Sequence, residues 1–109
     1  MTESHRTAAL DMLQRQLNEL DAVEKKTVTE NLNTVGGTEQ VHKWKARTVP
    51  LIAQHLGPAA ANSFADTKPG PSFTNDMFEE FSDEVEVYRS ALRKLMKDVP
   101  SPGAKGGPA

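Results

Sequence analysis

Three histidines, His5, His42 and His55, are the side chains in this sequence best suited to acid–base or metal chemistry. None belongs to an HExxH motif or to another pair spaced four apart, the spacing that puts two imidazoles on one helix face. Glu39-Gln40-Val41-His42 supplies one Glu-x-x-His. A di-metal carboxylate site in a helical bundle needs that motif on two helices, and its partner is missing. Asp76, Glu79, Glu80, Asp83 and Glu84 include pairs four apart that would face a cation together. Without histidine partners they read as the solvated face of a helix.

Nucleophilic and phosphate-cradling chemistry is as thinly represented. Cysteine is absent, and Ser63, Ser72, Ser82 and Ser90 lack a G-x-S-x-G context. Gly36-Gly37 matches neither GxGxxG nor GxxxxGK[ST]. The Arg-x₄₋₆-His arrangement of small helical ribonucleases of the HEPN type is missing too, since Arg47 and His55 are eight residues apart. Enzymatic activity therefore has no positive support, and no metal or cofactor is implied. The strongest binding feature is the segment His42 to Arg47 (HKWKAR), with Lys43 and Arg47 one helical turn apart and Lys45 around the other side. Basic groups beside an aromatic ring hold phosphates and stack on bases, so Lys43, Lys45 and Arg47 are candidate anion-binding residues. Trp44 lies on the apolar stripe of the same segment, and a core role is its better reading.

The elements that would position these residues are helical. Leu10, Leu13, Leu17 and Leu20 are spaced three, four, three, which makes one stripe of a helix from Ser4 to Lys26, with Ser4 as its N-cap and Gln16 on the polar side. Thr27, Val28 and Thr29 are weak helix formers. The helix therefore either frays there or continues for another turn, and Gly36-Gly37 ends what precedes it. Thr38 then caps a second helix whose stripe reads Val41, Trp44, Thr48, Leu51, Ile52 and Leu56. Pro50 within it predicts a kink or a break. Gly57 stops that helix, and Pro58 opens a short one anchored by Phe64. A Pro- and Gly-rich loop, residues 67–72, leads to the longest stripe, running from Met77 through Phe81, Val85, Tyr88 and Leu92 to Val99. Acidic residues fill the first half of that helix and basic residues the second, matching the helix dipole. Ser82 offers a competing start, but one long helix from Asn75 to Asp98 fits the stripe better.

Composition bounds what such a chain does. Its 109 residues make one small domain, expected as an antiparallel all-α bundle of three to four helices over residues 1–99, with a disordered tail or linker at 100–109. Hydrophobic residues are 37%, aromatics 6%, mean hydropathy −0.57, and the net charge is −2. That balance disfavours general nucleic-acid binding. No apolar run approaches the ~18 residues of a membrane span, and the polar start (MTESHRT) has no secretory core. A cytoplasmic location is expected.

The stretch Val41-His42-Lys43-Trp44-Lys45-Ala46-Arg47, followed by Leu51-Ile52, Leu56-Gly57 and Phe64, resembles the N-terminal helical domain of bacterial proteins carrying TIR-like or predicted nucleotide-binding effector domains. The resemblance extends over residues 40–95 to Tyr88, Leu92 and Leu95. It departs at Pro58-Ala59-Ala60-Ala61, where such domains have a polar or acidic turn. The resemblance implies an accessory or assembly role in a defence system. The length of the last stripe separately predicts an interaction surface for a protein partner or a second copy, made by Met77, Phe81, Tyr88 and Leu92. The rival expectation is a regulator that captures a nucleotide or other anion near Lys43, Lys45 and Arg47.

Overall fold

The computed structural model describes residues 2–71 and 74–99. Among these residues four α-helices form the domain: α1 (Glu3–Lys26), α2 (Thr34–Leu56), α3 (Pro58–Ala65) and α4 (Met77–Asp98). No strand occurs among the described residues. The tail expected at 100–109 lies outside them.

Each boundary has a local cause. Thr2 rather than Ser4 caps α1, its hydroxyl accepting from the His5 amide at 3.1 Å. The leucine stripe buries Leu13, Leu17 and Leu20 as its spacing requires, joined by Ala9, Met12 and, unexpectedly, Gln16. After Lys26 the chain widens into a π turn, Thr27–Asn31, where the β-branched run weakens the α-helical ladder. Leu32, in the left-handed region at φ 52°, closes that turn by donating its amide to the Thr27 carbonyl at 2.8 Å. Asn33 then caps α2, its side chain accepting from the Gly36 amide at 3.0 Å.

The two glycines therefore lie inside the start of α2 and do not end anything. Thr38 stands a turn too late to cap the helix, because the left-handed Leu32 has already turned the chain and Asn33 is a stronger cap. What Gly37 supplies is space. A Cβ built on it would lie 2.6 Å from the Thr27 side chain and 2.9 Å from Phe81, and both of those residues are buried. Gly37→Ala is expected to destabilise the domain by about 1–2 kcal/mol. Overpacking against two fixed side chains outweighs the ~1 kcal/mol gain in helix propensity. A urea midpoint equal to or above that of the wild type would refute the close packing.

α2 runs unbroken through Pro50. Pro50 and Ala46 are both on the exposed face, so water can take the carbonyl that proline leaves without a donor. Gly57, at φ 95°, ends α2, and Pro58 opens α3. Asp76 caps α4, accepting from the amides of Phe78 at 2.9 Å and Glu79 at 3.2 Å. No break occurs at Ser82, and α4 is one helix.

α2 is the hub and packs on the other three helices. Cross-helix contacts fix the directions. His42 meets Glu84, and Lys45 lies over Tyr88, so α2 and α4 run in the same sense. Gln16 meets Thr48, and Thr27 meets Gly37, so α1 is antiparallel to both. α3 and the following loop bring the chain back to the starting end, which sets the N-termini of α2 and α4 side by side.

The core is one cluster centred on Trp44. Its indole packs edge-on to Phe64 (5.9 Å between centroids, 79°) and tilted to Tyr88 (6.2 Å). Its Nε1 donates to the Gln16 carbonyl at 2.9 Å. The Gln16 Oε1 accepts from Thr48 Oγ1 at 2.8 Å. These buried bonds explain why a glutamine belongs on the inner face of α1, since a buried amide is tolerated where it finds partners.

Candidate functional site: two grooves beside the His42–Glu84 pair

The predicted interaction residues part company. Phe81, Tyr88 and Leu92 are buried in the core, and only Met77 is exposed. The inner stripe of α4 is covered because α1 and α2, of 24 and 23 residues, match its 22 in length. The apolar surface that remains lies at one end. Leu32, Val35, Met77 and Phe78 are 63%, 65%, 60% and 40% exposed. Val35 and Met77 line a groove of about 380 Å³ between the N-terminal turns of α2 and α4, floored in part by Phe81. Leu32 and Phe78 stand next to them along the chain. Glu39 and Glu80 line the same groove and make no ion pair among the described residues.

A sequence stripe shows which face of a helix is apolar. It does not show how far the neighbouring helices will cover that face. Val35 and Leu32 carried no signal of exposure, because they fall in the segment whose winding the sequence leaves open.

The candidate anion-binding trio is not assembled. Arg47 points toward α1 and pairs with Glu19 at 3.5 Å. Lys43 is exposed on the outer face of α2. Lys45 turns the other way, donating to the Thr67 carbonyl at 2.7 Å with its ammonium 5.0 Å from the Tyr88 ring centroid. Burial, followed by the charge of Lys68, holds the Lys45 ammonium below the ordinary lysine range, against the opposing pull of Asp66 and Glu84. Lys45 and Lys68 share a second, shallower groove of about 590 Å³ between α2, the end of α3 and α4. His42 and Glu84, 3.2 Å apart, line both grooves.

No protein-family model, curated protein or solved structure matches this chain. Among the described residues, no group of three or more His, Asp or Glu side chains is placed to hold a metal ion. No described helix is long and apolar enough to cross a membrane. The most heavily charged cluster is structural. Arg89 on α4 reaches Asp21 at 2.8 Å and Glu24 on α1, and Glu86 on its own helix at 2.6 Å. The i, i+3 pair with Glu86 follows from the spacing in α4, whereas the bonds to α1 need the packed helices.

Proposed function

We propose that this chain is a helical protein-interaction module that receives a basic, amphipathic segment of a partner protein. One observation carries the proposal. The four exposed large apolar side chains of the described residues sit at or just before the N-terminal turns of α2 and α4. Two of them, Val35 and Met77, line a groove edged by Glu39 and Glu80, which make no ion pair among the described residues. Clustered exposed apolar surface marks an interaction site far more often than scattered residues do. The left-handed conformation of Leu32 adds to the case: a non-glycine residue there costs about 1–2 kcal/mol, yet its side chain remains 63% exposed.

The charge pattern chooses the partner. Carboxylates near the two helix N-termini suit the helix dipoles, and they leave the rim negative. Two copies meeting face to face would set this rim against itself, whereas lysines or arginines flanking an apolar anchor would complement it. The resemblance to the N-terminal domains of TIR-like effector proteins supports the same accessory role.

A designed amphipathic peptide with leucines on one face and lysines beside them is expected to shift backbone amides of residues 32–39 and 77–84. Val35→Gln with Met77→Gln, both on exposed positions, is expected to weaken that binding at least about tenfold. Shifts elsewhere, or unchanged affinity in the double variant, would reject the proposal. A dimer that the double variant dissociates would assign the patch to a second copy instead.

A further inference from the structure

We propose that the groove between α2, the end of α3 and α4 binds a small amphipathic organic anion, a phosphate or carboxylate on a flat apolar body. This site lies on the other side of the His42–Glu84 pair from the apolar end patch, and it does not depend on that patch having a protein partner.

Two lysines from different elements line this groove, Lys45 from α2 and Lys68 from the segment after α3. Lys45 is held in place by partners that do not neutralise it, since a carbonyl and a tyrosine ring carry no full negative charge. The Thr67 carbonyl takes one of its three N–H groups and the ring faces the ammonium, which leaves donor capacity toward the groove. Lys68 makes no ion pair among the described residues and is exposed.

Two carboxylates lie near this pair. Glu84 lines the groove with its side chain only 14% exposed and is hydrogen-bonded to His42 at 3.2 Å, and its charge and that of Asp66 favour the Lys45 ammonium. Asp66 is exposed at the C-cap of α3 and forms no ion pair with Lys45. Burial and the charge of Lys68 act on Lys45 in the direction that an added anion would relieve.

The remaining walls decide what the anion is attached to. Ala46, Val49, Ala65 and Pro69 line the groove with small apolar groups. Its volume of about 590 Å³ lies in the range of small-molecule sites. A bare inorganic ion would leave these walls in water, whereas an aromatic ring would cover them.

Phenyl phosphate and benzoate, titrated separately against the intact chain, test the idea by amide shifts, with inorganic phosphate as the comparison. Saturable shifts at Ala46, Val49 and Ala65 are expected from at least one of the two aromatic probes, with inorganic phosphate binding more weakly. The tighter of the two identifies the head group. Lys68→Gln, on an exposed side chain, is expected to weaken binding about fivefold, the loss of one near-contact charge in a solvated site. Lys43→Gln, on the outer face of α2, is expected to leave it unchanged. Absence of saturable binding, equal affinity for inorganic phosphate, or indifference to Lys68→Gln would each overturn the proposal.

Discussion

Trp44→Ala is expected to cost about 3–5 kcal/mol of folding stability, the range for deleting a large aromatic from a packed core. A domain of this size has about 5–15 kcal/mol in all, so this variant loses a large share of its margin. The magnitude follows from position. Trp44 is fully buried, joins α3 and α4 through Phe64 and Tyr88, and holds α1 through its bond to the Gln16 carbonyl. Trp44→Phe separates the two contributions. It retains a ring against Phe64 and Tyr88 but removes the indole donor from a carbonyl that keeps its bond within α1, a loss of about 0.5–1.5 kcal/mol for the hydrogen bond. Urea unfolding followed by far-UV circular dichroism ranks the three proteins. Wild type is expected to be most stable, Trp44→Phe intermediate and Trp44→Ala weakest. A Trp44→Ala midpoint within error of wild type would show that the indole is not the centre of the core.

The second large effect belongs to Arg89. Its guanidinium is mostly buried and is the link between α4 and the carboxylates Asp21 and Glu24 of α1, with Glu86 beside it. Burial works against its charge, but the hydrogen bonds it donates to Glu86, Glu24 and Asp21 outweigh that and hold its pKa above the ordinary arginine value. Arg89→Met keeps a stem of similar length and leaves three carboxylates facing one another. About 2–3 kcal/mol is expected to be lost at neutral pH, because removing one partner strands the others.

The pH dependence has a definite sign. The hydrogen bond from Arg89, then that from Ser90, depresses the Glu86 carboxyl below its ordinary value of 4.5. A depressed carboxylate contributes stability above its unfolded value and loses it as pH falls through the lower folded value. The wild type is therefore expected to lose this contribution progressively below about pH 4.5. Arg89→Met removes the largest cause of that depression, leaving Ser90 and the more distant charge of Arg93, and is expected to show a flatter acid limb. The gap between the two proteins should narrow on acidification. Thermal unfolding across an acid series measures it, and a gap that stays constant or widens would rule out the carboxylate clamp.

The residue pattern alone determined that this chain is helical and where most helices run. Leucines at three- and four-residue spacing, Gly57-Pro58 and the acidic-to-basic order of α4 are local signals, readable within a turn or two. They need no knowledge of what packs against them. The helix starts were less legible, because Ser4 and Thr38 are also of cap-forming type, beside the Thr2 and Asn33 that cap α1 and α2. For α2, the left-handed turn at Leu32 and the close approach of Thr27 and Phe81 to Gly37 place the start at Asn33.

Tertiary structure alone decided the rest. Gln16 looks like a solvent residue until Thr48 on α2 donates a hydrogen bond to its Oε1 and satisfies it in the core. Helical spacing already sets Lys45 apart from Lys43 and Arg47, but that Arg47 meets Glu19 of α1 and that Lys45 shares a groove with Lys68 follow only from the packing. Above all, α3 and its loop return the chain so that α4 lies parallel to α2. That return covers Phe81, Tyr88 and Leu92, leaves Met77 and Val35 exposed beside Glu39 and Glu80, and thereby makes the end patch. Apolar spacing specifies a face, but exposure depends on the length and direction of the neighbours that cover it, and those are properties of the assembled bundle.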